Sequence, residues 1–324
     1  MPRRFPVFTV LFLVITQALS ATISEYTAVT GFGILPESGD TVVVLRKFVR
    51  DSVAMYLAVR PDSCLTEVRP AAGLPYTPAS WSDIRGRFAR TAYVRALMRS
   101  AADADSIRDA GFKRFECPED GIELTVDLCP STKPLDRRVF NDLIAEIGPA
   151  ERPVPVAVSV TGRWMRAHAG DLDWLKSLAD SGSLSILWIN HTYNHFSSKD
   201  LPLKMNFMLE KGTDVASEVL RTEQALLGKG LMPSVFFRFP GLVSDRHVFE
   251  KVLSFGLIPV GSDAWLAKGE LPKSGSIVLI HANGNEPLGV REFISLLKKK
   301  RADVQDKKWR LFDLRKSVVE EGRR

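Results

Sequence analysis

The chain has 324 residues, 45% apolar and 25% charged, a balance that excludes disordered, collagenous and coiled-coil classes. Its length suits two domains, or one barrel with an extension, and either buries a core without disulfide help. Lys and Arg (44) exceed Asp and Glu (38) by a formal +6, spread along the chain, which argues against a nucleic-acid partner.

Arg3 and Arg4 precede an uncharged run from Phe5 to Leu19, and Ala18-Leu19-Ser20 offers small residues at a cleavage site. This pattern predicts a signal peptide over 1–20, and with it a secreted or periplasmic protein. About 15 apolar residues fall short of the roughly 20 that span a bilayer, and no later run is long and charge-free enough to do so. Cys64, Cys117 and Cys129 permit at most one internal disulfide, Cys117–Cys129 or Cys64–Cys117, and form no CxxC zinc knuckle.

Residues 21–114 read as a small mixed α+β region. Thr41–Val49 and Ser52–Val59 look like a strand pair, and 70–78 (PAAGLPYTP) has loop composition. Ser82–Ala110 reads as one or two helices with Ile84, Phe88, Tyr93, Val94 and Leu97 as core positions. No reactive cluster gathers here, which points to a structural role.

From about Phe115 short apolar runs alternate with amphipathic stretches. Ile122–Val126 precedes a helix over Leu135–Ile147, and Val156–Val160 precedes one over Leu172–Ala179. Ile186–Ile189, a helix over Thr213–Leu227, and Val235–Phe237 follow. Ser244 is the expected cap of a helix to Phe255, before Leu257–Val260, and Ile277–Ile280 precedes a helix over Val290–Lys300. Continuous apolar strands alternating with helices predict a parallel sheet covered on both faces, better closed as a distorted (β/α) barrel than left open.

The residues leaving these strands carry the functional signal. They are Asp127, Asn190 with His191, Arg238, Asp263 and His281, and strand ends of a parallel barrel share one rim. His191-Thr-Tyr-Asn-His195 places two of only five histidines at i and i+4. In a helical turn that spacing lets both nitrogens bind one divalent metal. His168 and His247 read as surface residues. Lys298–Arg301 reads as the cationic end of a helix rather than a nucleic-acid patch.

Taken in order, these motifs resemble those of NodB-type polysaccharide deacetylases, carbohydrate esterase family 4, over about residues 115–320. Leu124-Thr125-Val126-Asp127 resembles the first motif and His191 to His195 the second. Arg238-Phe239-Pro240 resembles the third, Asp263-Ala264-Trp265 the fourth and Leu279-Ile280-His281 the fifth. The resemblance implies a metal-dependent hydrolase, zinc being the expected ion, that removes N-acetyl groups from a polysaccharide of N-acetylated amino sugars. Within it Asp127 is the expected general base toward the attacking water, and His191 and His195 are the expected metal ligands. Arg238 is expected to pair with Asp127 and favour its ionised form. The Gly241 N–H would meet the oxyanion, Trp265 and Leu279 would wall the acetyl pocket, Asp263 would be a further substrate-binding residue, and His281 would protonate the leaving amine.

One departure stands out. Leu128 occupies the position of the family's second motif-one aspartate, its third metal ligand, and leucine coordinates nothing. A Cys129 thiolate, a water or the Asp136 carboxylate are the alternatives. The departure keeps two further readings open: a silent carbohydrate-binding homologue, and an O-acetyl esterase using the same chemistry.

Overall fold

The computed structural model describes residues 21–117 and 119–323, so the expected signal peptide lies outside the described residues. Five strands come first: β1 (Ile23–Ile34), β2 (Thr41–Arg50), β3 (Val53–Arg60), β4 (Leu65–Pro70) and β5 (Tyr76–Pro78). They form an antiparallel sheet in the order β4-β3-β2-β1-β5. The expected strand pair is β2 and β3, joined by Asp51 and Ser52, both at positive φ (48° and 69°), the backbone of a tight two-residue hairpin. β1 escaped the sequence reading because its first half is largely exposed and two register shifts break its alternation.

Two helices follow, α1 (Trp81–Arg87) and α2 (Ala92–Ala101). Ser80 starts α1 with a capping box to Asp83, and Ile84, Tyr93, Val94 and Leu97 are buried as expected. The remaining elements are β6 (Asp120–Leu128), α3 (Arg138–Ile147), β7 (Val154–Val160), α4 (Gly162–Ala167), α5 (Ala169–Asp180), β8 (Leu184–Asn190) and α6 (Val215–Gly228). Then come β9 (Phe236–Phe237), α7 (Arg246–Ser254), β10 (Ile258–Pro259), β11 (Ala264–Trp265), β12 (Ser276–His281), α8 (Pro287–Gln305), β13 (Trp309–Leu311) and α9 (Leu314–Arg323).

Their strands make one parallel sheet ordered β10-β9-β8-β7-β6-β12-β11, with β13 also beside β6. The sheet curls into a half-barrel, the distorted (β/α) barrel expected from the alternation of strands and helices. It does not close between β10 and β11. The chain before β6 runs through this opening, with Phe112 bridged to Val260 and Arg114 to Ser276.

Alternation along β6 sorts its side chains. Ile122, Leu124, Val126 and Leu128 join an outer core with α3 and α8 residues such as Phe140 and Phe293. Glu123, Thr125 and Asp127 take the other face, inside the barrel. The N-terminal sheet docks on that barrel through polar as well as apolar contacts. Arg46 of β2, fully buried, makes a bidentate ion pair with Glu223 of α6 (2.6 and 2.8 Å), and Tyr26 bonds the same carboxylate. Val43, Leu45 and Tyr93 share one core with Phe236 and Phe249.

Three local expectations are corrected. Asp245, not Ser244, caps α7, because its carboxylate accepts the Val248 N–H at 2.8 Å. Lys298–Arg301 lies inside α8, which runs on to Gln305, where Lys300 and Arg301 pair with Asp303 and Glu146. His168 is not a surface residue: it stacks on Trp164 and bonds the Ser131 carbonyl at 2.9 Å. Cys64 and Cys129 are free thiols. No helix among the described residues is long and apolar enough to cross a membrane.

Candidate active site

The C-terminal ends of β6, β8 and β12, and the segment leaving β9, bring Asp127, Cys129, His191, His195, Arg238 and His281 to one rim. Asp127 and His281 are direct neighbours in the β6–β12 register. Arg238 is fully buried below them. Its Nη2 bonds the Thr125 hydroxyl at 2.9 Å and its Nη1 stands 4.0 Å from Asp127 Oδ2. The Arg238 Nε and Nη1 and the Asp127 Oδ1 have no hydrogen-bond partner among the described residues. Burial lowers the Arg238 pKa against the opposing attraction of Asp127. Buried polar atoms rarely stay unpaired, so this site holds unspent polar capacity.

The histidine pair meets without a helix. Residues 191–195 form a loop in which Thr192 (φ 68°) and His195 (φ 49°) adopt left-handed backbone, and the two rings approach edge to face at 4.8 Å. Glu218, in the first turn of α6, holds this loop by accepting the Tyr193 and Asn194 N–H groups at 2.9 and 2.8 Å. Asn190 adds a further bond, its Oδ1 accepting the Thr192 N–H at 3.0 Å. The cost of a left-handed β-branched residue is thus met by a buried hydrogen-bonded frame.

Beside the two histidines stands Cys129, a third side chain of metal-ligating type. Leu128 points into the outer core, fully buried, because strand alternation puts it on the face opposite Asp127. Cys129 returns to the inner face, with Sγ 3.5 Å from His191 Nε2, and its backbone is held by Asn283, which bonds its carbonyl. Ligand atoms of Cys129, His191 and His195 all lie within 4.8 Å of one another. Asp136 instead pairs with Arg138.

These residues fit a zinc ion by their donor chemistry. The Arg238 carbonyl accepts from His191 Nδ1 at 2.9 Å, which leaves the Nε2 lone pair facing Cys129. His195 Nε2 is buried with no hydrogen-bond partner among the described residues. Burial pushes the Cys129 thiol up, but His195, His281 and His191 outweigh it and hold the pKa well below the usual thiol value. A cysteine sulfur and two imidazole nitrogens form a donor set suited to zinc.

His281 completes the rim. Its Nδ1 lies 2.8 Å from Glu286 Oε2, an ion-pair approach rather than an aligned hydrogen bond. Trp265, at the end of β11, stacks on it at 5.5 Å and 30°. Leu279 lies two residues below on the same strand, buried. Gly241 has φ 60°, and a Cβ there would meet the Phe207 ring at 2.4 Å, so Phe207 fills the space beside it and lies edge-on to His195. A cavity of about 310 Å³ adjoins His195, lined by Thr192, Phe196, Phe207, Glu210 and Pro240. A larger one of about 390 Å³, lined by Arg152, Arg310 and Ser317, touches none of these residues.

Asp263 does not join the rim. It precedes β11, whose Ala264 pairs with Val278, so Asp263 sits level with Ile277. That is four residues short of His281, roughly 13 Å along a strand. There Arg114 holds it at 2.6 Å, near Glu123 on the barrel floor. The sequence reading took it for a strand-end residue because Val260 looked like the nearest strand. Glu286, Glu218, Asn283 and Phe207 were missed, and none carries a local motif that would have marked it.

No protein-family model matches this chain. Among solved structures the chain is similar to a family 4 carbohydrate esterase from Bacillus anthracis, at 19% identity over 70% of this chain and 91% of that one, TM-score 0.47. It is similar to PdaA of Bacillus subtilis, a family 4 carbohydrate esterase, at 17% identity over 76% and 92%, TM-score 0.47. It is also similar to a family 4 pseudoenzyme from Bacillus anthracis, at 13% identity over 65% and 69%, TM-score 0.45. The chain is thus similar to family 4 carbohydrate esterases, the group its five motifs resemble.

Proposed function

We propose that this protein is a zinc-dependent deacetylase of the NodB type, acting on N-acetylated amino sugars in a polysaccharide outside the cytoplasm. The observation that carries the reading is the convergence of an acid–base pair, Asp127 and His281, with three zinc-type donors on one rim. A carbohydrate-binding module needs neither part. Leu128 is the argument for an inert homologue; against it, Cys129 brings a sulfur to the two histidines.

Cys129, His191 and His195 would hold the ion, which supplies Lewis acidity toward the acetyl carbonyl and lowers the pKa of water. The protein's own groups do the rest. Asp127 accepts the proton of the attacking water through Oδ1, which has no hydrogen-bond partner among the described residues. Arg238, anchored by Thr125 and buried, fixes the carboxylate and balances its charge. The Gly241 backbone N–H would face the developing oxyanion. His281 donates a proton to the departing amine nitrogen as the C–N bond breaks, yielding acetate and a free amino sugar. Trp265 and Leu279 border the space for the acetyl methyl.

The test is acetate release from chitooligosaccharide and from peptidoglycan by the zinc-loaded protein. Asp127→Asn is expected to bind either substrate and release none. Acetate release by Asp127→Asn at the wild-type rate would refute the reading.

A further inference from the structure

The residue that holds the proposed catalytic acid is not part of any motif. Glu286 begins α8, five residues beyond His281, and carries its carboxylate back over the rim. Its Oε2 lies 2.8 Å from His281 Nδ1 and accepts the Trp265 indole N–H at 2.8 Å. The Trp265 ring in turn stacks on the imidazole, and Lys268 Nζ lies 3.3 Å from the Trp265 ring centroid. His281 is therefore gripped from two directions, by a carboxylate at one nitrogen and by an aromatic plane on one face. The fourth-motif carboxylate has no part in this, being held by Arg114 at the other end of the strand.

We infer that Glu286 is a positioning residue for His281: with Trp265 it keeps a proton on Nδ1 and presents Nε2 to the leaving group. This rests on the deacetylase reading above. A carboxylate 2.8 Å from the second nitrogen of a general acid favours the tautomer protonated on that nitrogen and offsets the positive charge the ring carries before donating its proton, while the stacked Trp265 ring sets the ring's orientation. Glu286 itself touches no reacting atom. Trp265 shares the same oxygen, so its role is to steer the carboxylate as well as to wall the pocket.

Glu286→Gln keeps the shape and an acceptor for Trp265 but removes the charge. On an N-acetylated chitooligosaccharide, kcat is expected to fall about tenfold or more with KM unchanged. On 4-nitrophenyl acetate, whose leaving group needs little protonation, kcat is expected to change far less. Glu286→Asp is expected to recover part of the amide activity. In a His281→Ala background, Glu286→Gln is expected to add nothing, since it acts through His281. Equal losses on amide and ester, or a full additional loss in the His281→Ala background, would overturn the proposal. A wild-type protein inert on every amide would overturn the deacetylase reading instead. Nitrogen-15 NMR of labelled histidines then decides the positioning alone, His281 being identified by its absence in His281→Ala. Loss of the Nδ1–H signature in Glu286→Gln supports the role, and an unchanged ring spectrum refutes it.

Discussion

Leu128→Asp separates two accounts of the metal site, because it writes the family's missing carboxylate back into the first motif. In the structure Leu128 is 0% exposed and belongs to the outer core with Val126, Val160 and Phe140. Withdrawing a buried leucine costs about 2–5 kcal/mol as a cavity. Placing a carboxyl group there without partners adds several kcal/mol more. The total approaches the whole stability of an ordinary domain, about 5–15 kcal/mol. The expected result is severe destabilisation with no gain in zinc affinity, because the side chain leaves the strand on the face away from His191 and His195. Denaturant unfolding of wild type, Leu128→Ala and Leu128→Asp measures the cost, with Leu128→Ala expected to lose only the cavity term. Zinc titration of whatever folded protein remains measures affinity. A Leu128→Asp protein as stable as wild type and tighter for zinc would refute the side-chain assignment on β6.

Other expectations follow from the same geometry. Cys129→Ala is expected to weaken zinc binding at least tenfold, and the cobalt-loaded wild type to show a thiolate-to-cobalt charge-transfer band that Cys129→Asp lacks. Glu223→Ala strands the buried Arg46 guanidinium and is expected to cost about 3–5 kcal/mol in denaturant unfolding, whereas Arg46→Met with Glu223→Leu is expected to cost much less. Glu123 has its pKa pushed up to about 8, chiefly by burial, while in the unfolded chain it ionises near 4.3. The folded state therefore binds the extra proton in that window, so this contribution to stability is present below about pH 4 and is lost as pH rises to about 8. Glu123→Gln is expected to gain in melting temperature relative to wild type across that window and to level off above it. A constant difference from pH 4 to 9 would contradict the assignment.

Much of the barrel was legible because each strand and helix carries its own periodic signal. β6, β7, β8 and β12 read as apolar runs, and four of the five strand-end signals, Asp127, His191, Arg238 and His281, reach the rim. The failures have one physical source, which is that partners distant in sequence leave no local mark. Arg46 and Glu223 are 177 positions apart and look like ordinary surface charges until they meet. Asp263 was misplaced because two-residue strands such as β10 and β11 carry too little pattern to show where one ends and the next begins. The Leu128–Cys129 question was decidable in principle, since alternation from an inward Asp127 sends 128 outward and 129 back in. Matching the family's motif position by position concealed that parity. Glu218 and Glu286 were invisible for a further reason: each reaches back from the start of a helix, Glu218 to the loop leaving β8 and Glu286 to the last residues of β12 and β11.

The measurement that bears most directly on the central claim is a zinc titration of the chelator-stripped protein with acetate release from a chitooligosaccharide as the readout. The account predicts no release without metal and a rise that saturates at about one zinc per chain. Release that persists undiminished after the metal is removed, or that never appears at saturating zinc, would contradict it.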